Sequence, residues 1–225
     1  MTLLETKVWK RMAIFIVALA LMIFVPAFTL NYWQGWLFFL VFSIVTIALS
    51  AYFLKHDPAL AERRLNAGAT AETEPSQKVI QGFASVFVIA TFVLSTFDYG
   101  RGWSNVPAPI STAANVCVLL GYYIMFRTFK ANTFAASTIQ VEQAQRVIST
   151  GPYATVRHPM YTGAILMFIA TPIALASYWG LIPAALLTAT IIVRLLDEER
   201  ILRQQLPGYD QYCRDVRYRL LPMAW

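Results

Sequence analysis

Charge is scarce in this chain. Only 13% of its 225 residues are Asp, Glu, Lys or Arg, while 58% are hydrophobic. A soluble domain carries about 25% charged residues, so much of this surface is not built to face water. Histidine and cysteine are scarce too, with two of each. His56 and His158 lie far apart and no Cys-x-x-Cys occurs, so no metal site is expected. Cys117 falls in an apolar run and Cys213 in a polar tail, which argues against a disulfide between them. Neither G-x-G-x-x-G nor G-x-x-x-x-G-K-[ST] is found, so no soluble-type nucleotide fold is signalled. No G-x-S-x-G accompanies His158, the one histidine placed to act as a base, so a serine hydrolase has no support. There is no internal repeat and no low-complexity tract.

What the chain does have is apolar runs of bilayer length. Residues 12–30, 36–54, 79–97 and 106–126 contain no charge, and each approaches the ~20 residues that a spanning helix needs. A fifth run, 161–196, is interrupted at Tyr178-Trp179-Gly180. It reads as two short helices in a tight hairpin, with Pro172 and Pro183 as expected kinks. The first run is longer than a signal h-region and leads into Asn31-Tyr32-Trp33-Gln34-Gly35-Trp36, an aromatic turn suited to a membrane interface. The expected fold is therefore all-α: a polytopic helical bundle with four spanning helices, a C-terminal helical hairpin and short cytoplasmic helices. Two regions are expected, 1–130 holding the N-terminal spans and 131–225 holding the catalytic part.

The net charge of +6 is explained by topology. With the first and last residues placed in the cytoplasm, all 18 Lys and Arg except Arg101 fall on or near that side. This is the positive-inside pattern, with contact to anionic lipid as its corollary. No nucleic-acid partner is expected.

Polar chemistry is confined to a few segments. Residues 56–77 begin Asp57-Pro58-Ala59-Leu60, a cap-then-proline helix start, and carry Glu62, Arg63 and Arg64 beside Leu60 and Leu65. A short amphipathic helix on the membrane and a charged loop both fit. Residues 127–159 form the longest polar stretch, and loops this long usually carry function. Residues 197–221 read as a helix to about Leu206, a Pro207-Gly208 break and a second short helix over 209–216.

Two clusters stand out. Pro159 suits the first turn of a helix, which places Arg157 and His158 at its N-terminus, where free N–H groups attract anions. A snorkelling arginine and a capping histidine would explain that pair equally well. Arg194 lies near the polar end of the last apolar helix, with Asp197, Glu198 and Glu199 behind it. Arg194 and Glu198, at i and i+4, share a face, and Glu199 is turned away by ~100°. A structural Arg–Glu pair is the plain alternative. Ionisable groups at membrane depth usually mark function, and the hairpin brings the two clusters to one side. Tyr153 and Tyr161 flank the Arg-His-Pro turn, whereas Tyr209, Tyr212 and Tyr218 read as interfacial anchors.

In order and spacing these residues resemble the isoprenylcysteine carboxyl methyltransferase family and its relatives, among them phospholipid N-methyltransferases. The resemblance rests on Gly151-Pro152-Tyr153, on Arg157-His158-Pro159-Met160-Tyr161-Thr162-Gly163, on the apolar hairpin, and on Glu198-Glu199-Arg200-Ile201-Leu202 followed by Tyr209-Asp210-Gln211-Tyr212. It is specific over residues 145–222. Leu206-Pro207-Gly208-Tyr209 is one residue shorter than the family's usual segment there. The resemblance implies an S-adenosylmethionine-dependent methyltransferase without a Rossmann fold. It implies a cofactor held by Gln145, Arg146, Val147, Ile148, Tyr153, His158, Pro159, Met160, Tyr161 and Glu198. It makes Arg194 the arginine on the substrate side. A lipidic or prenylated acceptor, small molecule or protein, would enter from the bilayer lipids, and the cofactor from the cytoplasm. Bacterial members look similar over residues 57–78, which implies an inner-membrane enzyme with its site facing the cytoplasm.

Methyl transfer to a carboxylate needs no general base, since that group is ionised at pH 7. Positioning then dominates, and Arg194 could grip the acceptor through two parallel bonds. Carboxyl O-methylation is the favoured reading. For an amine or thiol acceptor Glu199 becomes the candidate base. Membrane sterol reductases carry a similar Arg-His-Pro-x-Tyr turn and use NADPH, but an acidic residue often follows their glycine, where Ala164 follows Gly163 here. A non-enzymatic membrane protein retaining the fold is the remaining alternative.

Overall fold

The computed structural model describes residues 2–65, 72, 74–134 and 146–225, and all its regular elements are helical. Four helices are long and apolar enough to cross a membrane: α1 (Leu3–Ala27), α2 (Trp33–His56), α4 (Pro75–Arg101) and α5 (Ala108–Ala131). Between α2 and α4 lies the short α3 (Pro58–Leu65). After α5 come a single 3-10 turn (Gly151–Ala154), α6 (Pro159–Ala174), α7 (Leu181–Gln205) and α8 (Tyr209–Asp215). The protein is an integral membrane helical bundle.

Local chemistry explains the ends of these helices. Thr2 and Glu5 cap α1 reciprocally, at 3.2 and 2.8 Å, satisfying two of the amides a helix start leaves open. Asp57 accepts the Leu60 amide at 3.0 Å and starts α3. The α6–α7 turn closes with Ala176 in the left-handed region (φ 58°), the Ala176 amide on Ile173 and the Ser177 amide on Pro172. Buried Asp98, at the end of α4, ties this turn down. It accepts from the Ser177 hydroxyl, from the Trp179 amide, and from the Ser104 hydroxyl and amide at 2.6 and 2.8 Å.

One feature departs from the sequence expectation, and the choice between helix and loop for the segment after α2 falls to a helix over Pro58–Leu65. The helix after the hairpin turn is long: α7 runs unbroken for 25 residues from the apolar half into the polar tail. Pro183 does not kink it, because it occupies the first turn, where its missing N–H would have no partner anyway. The α3 segment packs on protein. Leu60 is fully buried with Phe53 and Phe129, and the Arg64 guanidinium lies 4.0 Å from the centre of the Phe129 ring.

The main core joins Leu19 and Ile23 of α1, Phe38 and Phe42 of α2, Phe92 of α4, Val118 and Tyr122 of α5 and Met167 of α6. In lipid, helices associate by close packing of small residues and by interhelical hydrogen bonds. Gly121 of α5 and Gly163 of α6 meet backbone to backbone: a Cβ added at either would lie 2.7 Å from the other's carbonyl oxygen. The Ser111 hydroxyl donates to the Ala174 carbonyl at 2.8 Å, and Thr46 bonds Tyr122 at 2.7 Å. Ile14, Leu21, Ile44, Val86, Val116 and Leu186 are exposed and apolar, as lipid-facing residues should be. Trp103 and Trp179 meet at one end of the bundle, 6.3 Å apart, beside Arg101. The other basic clusters gather at the opposite end. Cys117 and Cys213 are both free.

Candidate functional site

Two cation–carboxylate clusters and an apolar wall converge at that opposite end. The first cluster forms where residues 157 and 158 run beside the C-terminal tail. The Arg157 amide donates to the Tyr218 carbonyl and the His158 amide to the Arg219 carbonyl, both at 2.9 Å. Thr162, one turn into α6, donates its hydroxyl to Leu220 at 2.8 Å. The Arg157 side chain turns to the end of α8. Its Nη1 reaches the carbonyls of Val216 and Arg217, each at 3.2 Å, and that of Cys213 at 3.4 Å, where a helix end carries partial negative charge. Arg157 Nε also meets Glu199 Oε1 at 2.7 Å.

Glu199 is the hub of this cluster. Its Oε1 also faces His158 Nε2 at 3.2 Å, and its Oε2 accepts from Arg219 Nε at 3.1 Å. Burial by itself would push the carboxyl up, but His158, Arg157 and Arg219 outweigh it and hold the group down to about 2. Both oxygens are engaged and the proton is bound weakly, a poor setting for a general base.

The second cluster is centred on Tyr161, which α6 presents to α7. Arg194 Nε donates to its hydroxyl at 3.1 Å, and that hydroxyl donates to Glu198 Oε2 at 2.6 Å. Arg194 and Glu198 do share a helix face, and the tyrosine oxygen bridges them. Arg194 is buried, and its other nitrogens are also engaged: Nη1 with Gln81 Oε1 at 2.8 Å and Nη2 with Glu72 Oε1 at 2.6 Å. Glu198 is half-buried, and Tyr161 is its one hydrogen-bond partner among the described residues.

The apolar wall is built by Leu206, Tyr209, Tyr212 and Val216, with Val147, Tyr153 and Leu202 packed against them. Tyr153 is fixed at both ends: its hydroxyl accepts from Asn132 at 3.2 Å and its carbonyl from the Tyr212 hydroxyl at 2.8 Å. Burial leads the causes that raise the Tyr153 phenol to about 12. Tyr209 is buried, and its hydroxyl has no hydrogen-bond partner among the described residues. Burial first, then the Glu199 and Glu198 carboxylates, push that phenol far up, so it remains a donor. Buried polar groups rarely go unpaired. This one sits by the carboxylate pair and the apolar wall.

Of the residues expected from sequence, Val147, Tyr153, His158, Tyr161, Arg194, Glu198 and Glu199 come together here. Pro159 is buried in the first turn of α6. Met160 is half-buried and packs toward Phe53, Leu60 and Phe129, on the α3 side. Ile148 is half-buried and Arg146 exposed. Gln145 lies outside the described residues. Sequence reasoning missed Glu72, Gln81, Arg219 and the role of Tyr209. A buried arginine implies a partner, but helix spacing pointed to Glu198 and hid the more distant Glu72.

Comparison with known proteins bears directly on this arrangement. Residues 110–207 match the phospholipid methyltransferase family model. The phospholipid methyltransferase match spans α6, α7 and nearly all of α5, and so includes Tyr153, His158, Tyr161, Arg194, Glu198 and Glu199, but not Glu72, Gln81 or α8. It agrees with the family resemblance in the sequence and supports a membrane methyltransferase. The chain is also similar to a delta(14)-sterol reductase of Mus musculus, 29% identical over 136 residues, which covers 53% of this chain and 32% of that protein. The chain thus matches about a third of the length of that relative.

Proposed function

We propose that this protein transfers a methyl group from S-adenosylmethionine to a lipid-borne carboxylate, with the site open to the cytoplasm and the acceptor entering from the bilayer, as in bacterial inner-membrane enzymes. The observation that carries this reading is the Arg194–Tyr161–Glu198 relay. It joins the apolar half of α7 to the polar tail within one helical turn.

The residues present suit such a cofactor, which joins an amino-acid part with charges of both signs, through ribose, to a neutral aromatic base. Glu198 offers an oxygen with no partner among the described residues to an ammonium or to ribose hydroxyls. The Tyr209 hydroxyl, unpaired among the described residues, offers a buried donor, and Val147, Tyr153 and Leu202 offer an apolar slot for adenine. The bound group would supply a methyl on a positively charged sulfur, ready for in-line displacement. The protein's own task is alignment. His158 and Glu199 set the start of α6 against α7, Tyr161 fixes the cofactor carboxylate Glu198 relative to Arg194, and Arg194 holds the acceptor. An amine acceptor would have to lose a proton, and Glu199, held by three partners at about 2, is poorly placed to take it. A carboxylate needs no such step.

The similarity to the mouse sterol reductase favours a second reading, hydride transfer from NADPH. One set of titrations separates the two. Purified protein in detergent should bind S-adenosylhomocysteine and not NADPH, and Glu198→Ala should weaken that binding by about tenfold or more, the loss expected for a charge-assisted hydrogen bond. Labelled S-adenosylmethionine with long-chain carboxylates, amines and thiols then identifies the acceptor. NADPH binding without S-adenosylhomocysteine binding would replace the methyltransferase reading. Binding of neither would leave a non-enzymatic role.

A further inference from the structure

Arg194 reaches this site already paired. Its Nη2 lies 2.6 Å from Glu72 Oε1, and the two side chains are 8% and 0% exposed. Gln81 takes Nη1 and Tyr161 takes Nε. Glu72 precedes α4 and Gln81 lies in its second turn, so both partners come from outside the stretch matched to the methyltransferase family. A carboxylate that grips this guanidinium through two parallel bonds needs two adjacent N–H groups pointing the same way. The Nη2 edge of the fork is held by Glu72. Two carboxylates on one guanidinium would sit a few ångströms apart, and like charges that close disfavour each other's ionised form.

We propose that Glu72 is a specificity residue for the acceptor: a resident carboxylate that competes with an anionic acceptor for Arg194. The inference rests on the methyl-transfer reading above. With Glu72 on the fork, the Arg194–Glu72 pair is neutral and gives a bare carboxylate little reason to bind. An acceptor has to supply the difference from burial of its own apolar part, so the site selects carboxylates on long lipid chains over short ones. An uncharged ligand of the same chain length, such as an alkyl alcohol, has no such competitor.

The test compares the protein with Glu72→Gln and Gln81→Glu, in detergent, using a long-chain alkyl carboxylate as acceptor and the matching alcohol as an uncharged ligand. Glu72→Gln keeps a carbonyl oxygen for Arg194 and removes the competing charge. It should lower KM for the carboxylate by roughly tenfold or more, as expected for removing a like charge at short range. Affinity for the alcohol and for S-adenosylhomocysteine should stay as they were. Gln81→Glu adds a second carboxylate and should raise KM for the carboxylate. Where turnover is too slow to read, calorimetric binding of the alkyl carboxylate to protein saturated with S-adenosylhomocysteine reports the same differences. An unchanged carboxylate KM, or a rise in Glu72→Gln, overturns the proposal and leaves Glu72 as a support for Arg194. If Glu72→Gln does not fold, Gln81→Glu decides alone, and an unchanged KM there sinks the idea. Failure of the unmutated protein to bind S-adenosylhomocysteine would instead count against the methyl-transfer reading itself.

Discussion

At the scale of single residues, the two adjacent glutamates divide the work. Glu198 is half-buried with one oxygen on Tyr161, while Glu199 is buried among Arg157, His158 and Arg219. One residue of rotation, about 100°, turns one carboxylate toward the site and the other into the scaffold. The difference has a pH signature. Glu199 ordinarily titrates near 4.5 and is held down to about 2 in the fold. A depressed carboxylate stabilises the folded state fully above its ordinary value, and that contribution disappears as pH falls through the folded value. Asp197, lowered by Ser76, Arg200 and Gln77 against the effect of its burial, adds to the same slope. The thermal midpoint in detergent should therefore fall between about pH 4.5 and pH 2. Glu199→Gln should lose much of that dependence. It should also be less stable at neutral pH by on the order of 3 kcal/mol, because buried cations are left without their counter-ion. Glu198→Gln should melt like the parent and lose affinity for S-adenosylhomocysteine. If Glu199→Gln melted like the parent at neutral pH, Glu199 would not be the structural hub described here.

At the scale of elements, the sequence made visible what depends on period and punctuation. The four long spans, the break before α7, and the Pro207-Gly208 break before α8 all follow from apolar runs and helix breakers, and Gly208 indeed sits at φ 86°. Contacts between distant segments were hidden. Nothing local to Arg194 indicates Glu72, 122 residues away, and nothing local to Gly163 indicates that its neighbour is Gly121. Gly163 belongs to the motif that carries the family resemblance, yet its task here is to let α6 approach α5. Gly163→Ala would put a methyl 2.7 Å from the Gly121 carbonyl oxygen. Overpacking against backbone costs about 1–3 kcal/mol, and α6 would shift with His158 and Tyr161 on it. The variant should melt earlier and bind S-adenosylhomocysteine more weakly. Gly82→Ala is the control, since nothing lies within 4 Å of the added methyl and the residue is inside α4. It should be neutral or slightly stabilising, by at most about 1 kcal/mol. Equal losses in both variants would mean that the close approach of α5 and α6 is not what the glycine supplies.

At the scale of the whole molecule, charge and chemistry share one end of the bundle. Arg11 donates to the Leu65 carbonyl, Arg64 lies on Phe129, and Arg157, Arg194 and Arg219 build the site, all at the same end. Arg101 lies at the other end, over the rings of Phe97 and Phe28, near Trp103 and Trp179. Membranes orient proteins by keeping Lys and Arg in the cytoplasm, so the end that carries the site should face inward. The helix count leads to the same geometry. Besides the four long spans, α6 and the apolar half of α7 form a hairpin between the same two ends. The chain therefore returns Trp225 to the side where α1 begins. A reporter active only outside the cytoplasm should be silent when fused to Trp225 and active when inserted at Gly102, beyond Arg101. Adding lysines beside Trp103 should weaken this preference, because it evens the charge across the bundle. Activity at Trp225 together with silence at Gly102 would invert the orientation and count against the proposed methyl transfer, because S-adenosylmethionine is not made outside the cell.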